Sequence, residues 1–338
     1  MASEPGDANA MRSARGWIAL LVIAVACVAA RLLVARSLDG TLLLGWQADA
    51  AAWRLGAVAS GAAAGAALAL SGLLLQSMLR NPLASPFVLG LSGGAQAAMA
   101  LAALLAWKAG GQVSPAASMV VGCAGSVLAL LLCIAFGRSR ERGLDPVSLV
   151  LAGVVVAAML GALATLCEWM LPPPERAAVH AWGLGRVPEA PPAALLTTLL
   201  LVLGCSAVAA WCGGRALDAM QLSDDEARSV GVPLVGMRWS IVLGASALAA
   251  AATALCGPLA FVGLVAPHAA RGLLGGAHRR TVPATLLAGA SLLVLADATR
   301  AIIPVEGGRL PVGVVCALAG GPAFLILLRR GAAGAWRA

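Results

Sequence analysis

Apolar residues dominate this sequence in long runs, and polar residues cluster in the short stretches between them. A helix needs about 20 apolar residues to cross the hydrocarbon core of a bilayer. The pattern predicts ten such segments, at residues 17–35, 55–79, 90–107, 115–136, 146–171, 193–213, 236–256, 258–274, 283–299 and 312–328. The chain is therefore predicted to be an all-α, polytopic membrane protein with about ten transmembrane helices.

The polar residues outside these segments suggest a simple domain organisation. Residues 1–16 are predicted to form a short disordered cytosolic tail, residues 17–330 one transmembrane domain, and residues 331–338 a second cytosolic tail. Two arginines precede the first apolar run, and no small-residue cleavage site stands near its end. This run is therefore interpreted as a retained first span rather than a cleaved signal.

The stretch Gly65–Gly94 predicts a helix, a tight turn and a second helix. The apolar run before the turn carries no charge until Arg80. Asn81-Pro82 follows, and proline removes a backbone donor and pushes the preceding residue out of the helical region. Pro86 bounds the turn, and small residues then open the next apolar helix, where they permit close backbone approach.

The same stretch resembles the signature of a known family. The matching residues are Gly65–Leu68, Gln76, the run NPLASP at 81–86, Leu89-Gly90 and Ser92–Ala95, together with 256–280, Ala296-Asp297, Arg300 and 310–330. They are similar to the FecCD family, the membrane permeases of ABC importers for iron chelates, haem and cobalamin. The resemblance implies the type II ABC importer permease fold.

Composition and charge agree with a membrane protein. The 338 residues are 61% hydrophobic and 11% charged, which excludes an ordinary soluble domain. The net charge of +8 does not indicate nucleic-acid binding, because the arginines lie mostly between apolar segments. With both termini in the cytosol, 15 basic residues face inward and eight face outward, as the positive-inside rule requires. The eight cysteines show no CxxC spacing and are interpreted as small core residues, without a disulfide or metal site.

The longest predicted cytosolic loop contains a short, strongly specified helix. Ser223 and Glu226 have the spacing of a capping box, and Gly231 and Pro233 stop the helix about two turns later. Such a short helix is marginal alone and needs a surface to pack against, either its own protein or a partner. The resemblance implies the second, an ATPase-coupling loop over about residues 214–233, with Ser223, Asp224, Asp225, Glu226, Ala227, Arg228, Gly231 and Pro233 as its site residues.

The sequence suggests no internal source of energy for transport. The predicted spans contain almost no ionisable side chains, whereas ion-coupled carriers need such groups within the membrane. A P-loop needs a lysine followed by Ser or Thr, but the only lysine, Lys108, precedes Ala109. The three histidines lie in separate loops or helix ends, which argues against a membrane enzyme. We therefore expect no cofactor, catalytic residue or metal in this chain, and ATP on a partner subunit; an ion-coupled secondary transporter is a further alternative.

The resemblance also implies partners and a gate. It implies a homodimer or paired permease, two cytosolic ABC ATPase subunits, a soluble substrate-binding protein and a bacterial inner (cytoplasmic) membrane. It places a cytoplasmic gate at Asn81, Pro82, Leu83, Asp145, Pro146 and Ser148. Binding proteins of this class dock acidic groups on permease arginines, here Arg54, Arg300 and Arg309. An alternative for each arginine is ordinary charge at the membrane edge.

The outer face offers a limited indication of substrate. Prolines bracket Glu175–Trp182, which predicts a helix of about two turns at the outer surface. His180 on this helix could touch a haem iron, although a lone surface histidine usually has no such role. A ferric siderophore or haem leads on family frequency, and cobalamin is the alternative.

The predicted orientation can be tested by mapping single cysteines placed in the tails and loops. Residues 331–338 and the loop at 214–233 should react only when the reagent reaches the cytosol, because the basic residues favour that side. A site in the outer segment 172–192 serves as the control. A C-terminal tail labelled from outside would contradict the orientation.

Overall fold

The computed structural model describes residues 5–36, 41–139, 143–303 and 309–332. Within these residues the chain is built almost entirely of helices. They are α1 (Pro5–Leu33), α2 (Ala51–Leu79), α3 (Leu91–Lys108), α4 (Pro115–Gly137), α5 (Pro146–Trp169), α6 (Pro173–Gly183), α7 (Ala193–Cys212), α8 (Gly214–Ala219), α9 (Asp224–Ser229), α10 (Leu234–Cys256), α11 (Val262–Leu274), α12 (His278–Ile302) and α13 (Val312–Ala332).

Short elements connect some of the helices. Single 3₁₀ turns cover Ala48–Ala50 and Pro86–Leu89. Two antiparallel strand pairs, β1 (Val34–Arg36) with β2 (Leu42–Leu44) and β3 (Arg138–Ser139) with β4 (Gly143–Leu144), close helix connections. The predicted all-α class is confirmed, because these strands only link helices.

Each of the ten predicted apolar segments contains one helix, but these helices differ in whether they are long and apolar enough to span a membrane. By length and composition, seven helices in the described residues could cross: α1, α2, α4, α5, α7, α10 and α12. Polytopic membrane architecture is therefore established, and the count of ten spans stays a prediction.

The predicted eighth span, 258–274, is only partly a helix. Residues 257–261 are non-helical, and α11 has 13 residues, which corresponds to about 20 Å. A hydrocarbon core of about 30 Å exceeds this length. Phe261 takes a left-handed conformation with φ of 67° at the start of α11, so the helix begins late at an irregular turn that hydropathy alone does not reveal.

The predicted disordered tail at residues 1–16 is wrong over residues 5–16. These residues continue α1 without interruption. Alanine, methionine and arginine are good helix formers, and extending an existing helix avoids the cost of nucleation. Residues 1–4 and 333–338 lie outside the described part of the chain.

α2 is the central helix of the bundle. Twenty of its 29 residues are buried, whereas α7 buries only Leu199 and Ala210. α10, α11 and α12 pack around α2. Glycines make this packing close: Gly65 faces the backbone of Gly289 on α12, and Gly72 faces the backbone of Gly263 on α11.

Two sets of contacts show which elements lie at each end of the bundle. At one end, α9 contacts the C-terminal end of α2, and α8 contacts the N-terminal end of α12. At the other end, the last turns of α1 and α12 meet, and the backbone N–H of Gly313 donates to the carbonyl of Leu184 at 3.1 Å. This alternation agrees with the predicted topology, in which the first end is cytosolic and the second is outer.

Replacing Gly72 with leucine should destabilise the bundle. An added Cβ would collide with the carbonyl of Gly263, and a backbone atom cannot move aside cheaply. We expect a loss of roughly 1–3 kcal/mol or more, seen as a lower midpoint of thermal unfolding in detergent. Gly204→Leu on the exposed face of α7 is the matched control, because its Cβ meets no atom within 4 Å. Equal midpoints for both variants would contradict the assigned role.

Candidate functional site

The predicted coupling loop folds as two short helices, α8 and α9. The capping box at the start of α9 is confirmed: the Glu226 backbone N–H donates to Ser223 Oγ at 3.3 Å, and the Ser223 backbone N–H donates to Glu226 Oε2 at 2.9 Å. Hydrogen bonds from Ser223 lower the pKa of the Glu226 carboxyl. Gly231 follows with φ of 84°, the left-handed stop expected after the helix. Sequence analysis did not identify α8.

Asp224 ties this loop to the helices above it. Its carboxylate accepts from Arg80, which follows α2, at 2.6 Å, and from Arg238 on α10 at 2.7 Å. Burial alone would raise the pKa of Asp224, but the two arginines outweigh it and lower the pKa below 3.8. A lowered pKa means that these ion pairs contribute above the unfolded-state pKa and are lost only as the pH falls through the folded-state value. The tie is therefore intact at neutral pH.

α9 presents an exposed face beyond this tie. Ala227 is fully buried against the helix bundle, whereas the Asp225 side chain is 95% exposed. Leu222 and Val230, at the two ends of α9, are exposed apolar residues. A protruding helix with apolar residues at both ends is suited to insertion into a socket on another protein.

The predicted gate residues form a helix stop and a helix cap. α2 ends at Leu79, Arg80 is left-handed, and Asn81 Oδ1 accepts from the Leu83 backbone N–H at 2.9 Å. Asp145 caps α5, accepting from the backbone N–H of Ser148 at 3.0 Å, with Pro146 in the first turn. The predicted helix stop at Asn81-Pro82 is confirmed, the Asp145 cap was not predicted, and a gating role for these residues stays a prediction.

Behind the turn, polar side chains join α2, α8, α11 and α12. Arg271 donates to Gln76 Oε1, and the Gln76 amide lies 3.3 Å from the Ala84 carbonyl. His278 Nε2 lies 2.6 Å from Ser77 Oγ. The Arg271–Gln76 and His278–Ser77 contacts link residues about 200 positions apart, so the sequence carries no local signal for them. His268 on α11 is half-buried, and its Nδ1 has no hydrogen-bond partner in the described residues.

The outer end contains a buried ion cluster. Asp297 accepts from Arg31 and, at 2.5 Å, from Arg300, while Glu189 accepts from Arg31 at 3.1 Å and from Arg309. The Asp297 side chain is 1% exposed. The sequence predicted an interior with almost no ionisable groups, but this cluster joins five charged groups from α1, α12 and the connections before α7 and α13.

The predicted docking arginines have different environments. Arg54 is buried, and its guanidinium donates to the carbonyls of Leu32 and Gly45 and to Gln47 Oε1. Arg300 is also buried, in the ion cluster. Only Arg309 is exposed, with 49% of its side chain accessible. Arg54 and Arg300 thus bind groups inside this protein, and Arg309 is the one of the three that is exposed; a docking role for them stays a prediction.

The outer helix predicted at Glu175–Trp182 is confirmed as α6, which is slightly longer than predicted. Two cavities open beside it. One of about 440 Å³ contains Glu175, Arg186 and Arg309 in its wall. The other, of about 230 Å³, is lined by Gln96 on α3, Thr165 and Glu168 on α5, and His180 on α6. The second cavity has nitrogen- and oxygen-bearing side chains in its wall, a set that could bind a polar solute.

Residues 17–330 match the sequence model of the FecCD transport family. The chain belongs to the FecCD transport family. It is 38% identical to the ferric enterobactin transport system permease protein FepD of Escherichia coli, over 82% of this chain and 80% of that protein. It is 32% identical to the hemin transport system permease protein HmuU of Yersinia pestis, over 93% and 95%.

A vitamin B12 permease and a solved transporter structure are also similar to this chain. The vitamin B12 import system permease protein BtuC of Vibrio parahaemolyticus is 34% identical over 81% of each chain. A solved ABC transporter structure in an inward-facing conformation matches with a TM-score of 0.79, at 24% identity, over 94% of this chain and 99% of that one. This FecCD protein is therefore a multi-pass ABC importer permease of the bacterial inner membrane, with the predicted permease fold.

Replacing Asp297 with asparagine should destabilise the outer end. Arg31 and Arg300 would keep their buried charges and lose the carboxylate between them, which costs about 3–5 kcal/mol. Thermal unfolding of the purified protein measures the effect. Asp225→Asn is the control, since Asp225 is an exposed partner of Arg228 and its change should leave the midpoint unaltered. An unchanged midpoint for Asp297→Asn would show that the ion cluster does not stabilise the contact between α1 and α12.

Proposed function

We propose that this protein forms the translocation pathway for an iron complex, a ferric siderophore or haem, handed over by a soluble binding protein. The support is the set of relatives: FepD and HmuU are named for ferric enterobactin and hemin, and they match over most of this chain. BtuC is named for vitamin B12, and its identity of 34% lies between those of FepD and HmuU, so cobalamin is the second candidate.

The proposed assembly is a homodimer or a pair of permeases with two cytosolic ABC ATPases. The coupling loop supports this proposal, because α9 is rigidly capped and tied to α2 and α10 by Asp224. ATP bound by the ATPases would favour one of two arrangements of the loop, and the tie would carry that preference to α2 and α10. ATP remains a ligand of the partner subunit.

On the outer side, we propose Arg309 as a docking residue for an acidic group of the binding protein. Arg309 is exposed and shares Glu189 with Arg31, so an incoming carboxylate would find a guanidinium already held in place. The cavity lined by Gln96, Thr165, Glu168 and His180 is the proposed contact region for the solute. His180 is exposed there and could approach a haem iron.

Uptake of three labelled solutes tests the proposed function. A strain lacking this protein, complemented with the wild-type chain, should regain uptake of a ferric siderophore or haem and show no change in cobalamin uptake. The rate of uptake by a Leu222→Asp, Val230→Asp double variant should be lower by about tenfold or more, because charges on the exposed face of α9 would oppose insertion into an ATPase socket.

A control variant distinguishes a loss of ATPase coupling from a loss of folded protein, and the solute that is taken up distinguishes the two candidate substrates. Leu44→Asp, a change at a still more exposed apolar residue on the outer hairpin, should retain uptake, and immunoblots of membranes should show equal amounts of every variant. Restoration of cobalamin uptake alone would replace the iron proposal by its alternative. Normal uptake by the double variant would exclude α9 as the coupling element.

A further inference from the structure

A small crevice opens on the side of the bundle between α2, α7 and α10, near the cytosolic end. Its volume is about 130 Å³, and its wall includes Leu74, Ala209, Met237, Ser240 and Gly244. α7, which forms one side, is mostly exposed and would face lipid. The crevice is therefore open to the bilayer rather than to the proposed solute pathway beside α6.

Small residues keep this crevice open. Ala209, Ser206, Ser240 and Gly244 leave space between two helices that otherwise pack against each other. A Cβ added to Gly244 would meet no atom within 4 Å. Since the wall is largely apolar and lies at bilayer depth, a hydrocarbon chain is the occupant that its chemistry favours.

A positively charged residue, Arg279 at the start of α12, lies beside the C-terminal end of α7, the end at which this crevice opens. Arg279 stacks over the Trp211 ring, with 5.6 Å between its guanidinium carbon and the ring centroid. Two further contacts place Arg279 close to the crevice wall. Gly213 lies against the side chain of Met237, and the next residue, Gly214, lies against that of Arg279.

This charge is available to a ligand. Among the described residues, no carboxylate lies within ion-pair distance of Arg279 or of the exposed Arg215 on α8. Asp218, the acidic residue of α8, is engaged by His278 at 2.6 Å. An unpaired arginine beside tryptophan at the cytosolic membrane edge is suited to an anionic headgroup.

We propose that the crevice is a binding site for an anionic phospholipid. One acyl chain lies between α7 and α10, against Met237 and Gly244, and the phosphate binds Arg279 beside Trp211. Arg215 adds longer-range attraction. The bound lipid touches α7 and α10, the helices on either side of the coupling loop, so its binding stabilises the position of that loop. The site is independent of the identity of the transported solute.

Native mass spectrometry of the purified full-length permease tests the proposal. Phosphatidylglycerol and phosphatidylcholine with identical acyl chains are titrated in parallel, and retained lipids are counted. We expect tighter retention of phosphatidylglycerol. Arg279→Gln should weaken it roughly fivefold, the attraction expected for one basic residue near an anionic headgroup. Gly244→Leu should reduce retention of both lipids, because its side chain fills the space for the acyl chain.

Matched variants and a soluble competitor complete the experiment. Arg15→Gln removes an exposed basic residue from the same predicted face, and Gly204→Leu adds a side chain on α7 outside the crevice; both should bind as the wild type does. Equal retention of the two lipids, or unchanged retention by Gly244→Leu, would overturn the proposal. So would full displacement by glycerol phosphate, which would indicate a site for a free anion. If Arg279→Gln does not elute as a folded protein, the Gly244→Leu and competitor arms decide.

Discussion

Close contact between glycine backbones on α2 and its neighbours is the constraint on which this structure depends. In a bilayer, helices gain little from burying apolar surface against each other, because lipid tails are equally apolar. What holds them is van der Waals contact at short range, and that requires residues without large side chains. Gly65 against Gly289 and Gly72 against Gly263 supply it along one face of α2. α2 is consequently a fixed axis around which α10, α11 and α12 are arranged.

The charged groups are located at the two ends of this apolar bundle. At the outer end, Asp297 and Glu189 neutralise arginines from three separate segments. At the cytosolic end, Asp224 joins α9 to Arg80 and Arg238. An ion-coupled carrier would need carboxylates free to exchange protons or ions near mid-membrane, whereas these carboxylates are paired with arginines at the ends. The pairing favours a structural role and agrees with a permease driven by a separate ATPase.

Local features of the fold could be predicted from sequence because their causes are local. Ser223 and Glu226 form a capping box three residues apart, Pro82 stops α2, and prolines bracket α6, so each signal lies within one turn of its effect. Short α8 and the late start of α11 were missed, since α8 has no comparable cap and the left-handed Phe261 leaves no trace in hydropathy. The continuous helix over residues 5–16 was missed because polarity was taken as a sign of disorder.

The partners of the candidate site residues could not be predicted, because they are distant in sequence. Arg80 and Asp224 are 144 positions apart, and Arg31 and Asp297 are 266 apart. Their pairing follows from helix packing, which a single sequence does not specify. The same applies to Arg54 and Arg300. The sequence places both charges near the outer surface, but helix packing buries them, which argues against a direct docking contact in this conformation.

Arg80 occupies a left-handed conformation, with φ of 48°, that most residues other than glycine avoid at a cost of roughly 1–2 kcal/mol. Its side chain nevertheless binds the Met220 carbonyl at 2.8 Å and Asp224 at 2.6 Å. Glycine at this position would remove the backbone strain but would lose both side-chain hydrogen bonds. The arginine therefore ends α2 with its backbone and binds the coupling loop with its side chain. Through Arg80, the surface helix α9 is therefore joined directly to the C-terminal end of α2, the most buried of the candidate spans among the described residues.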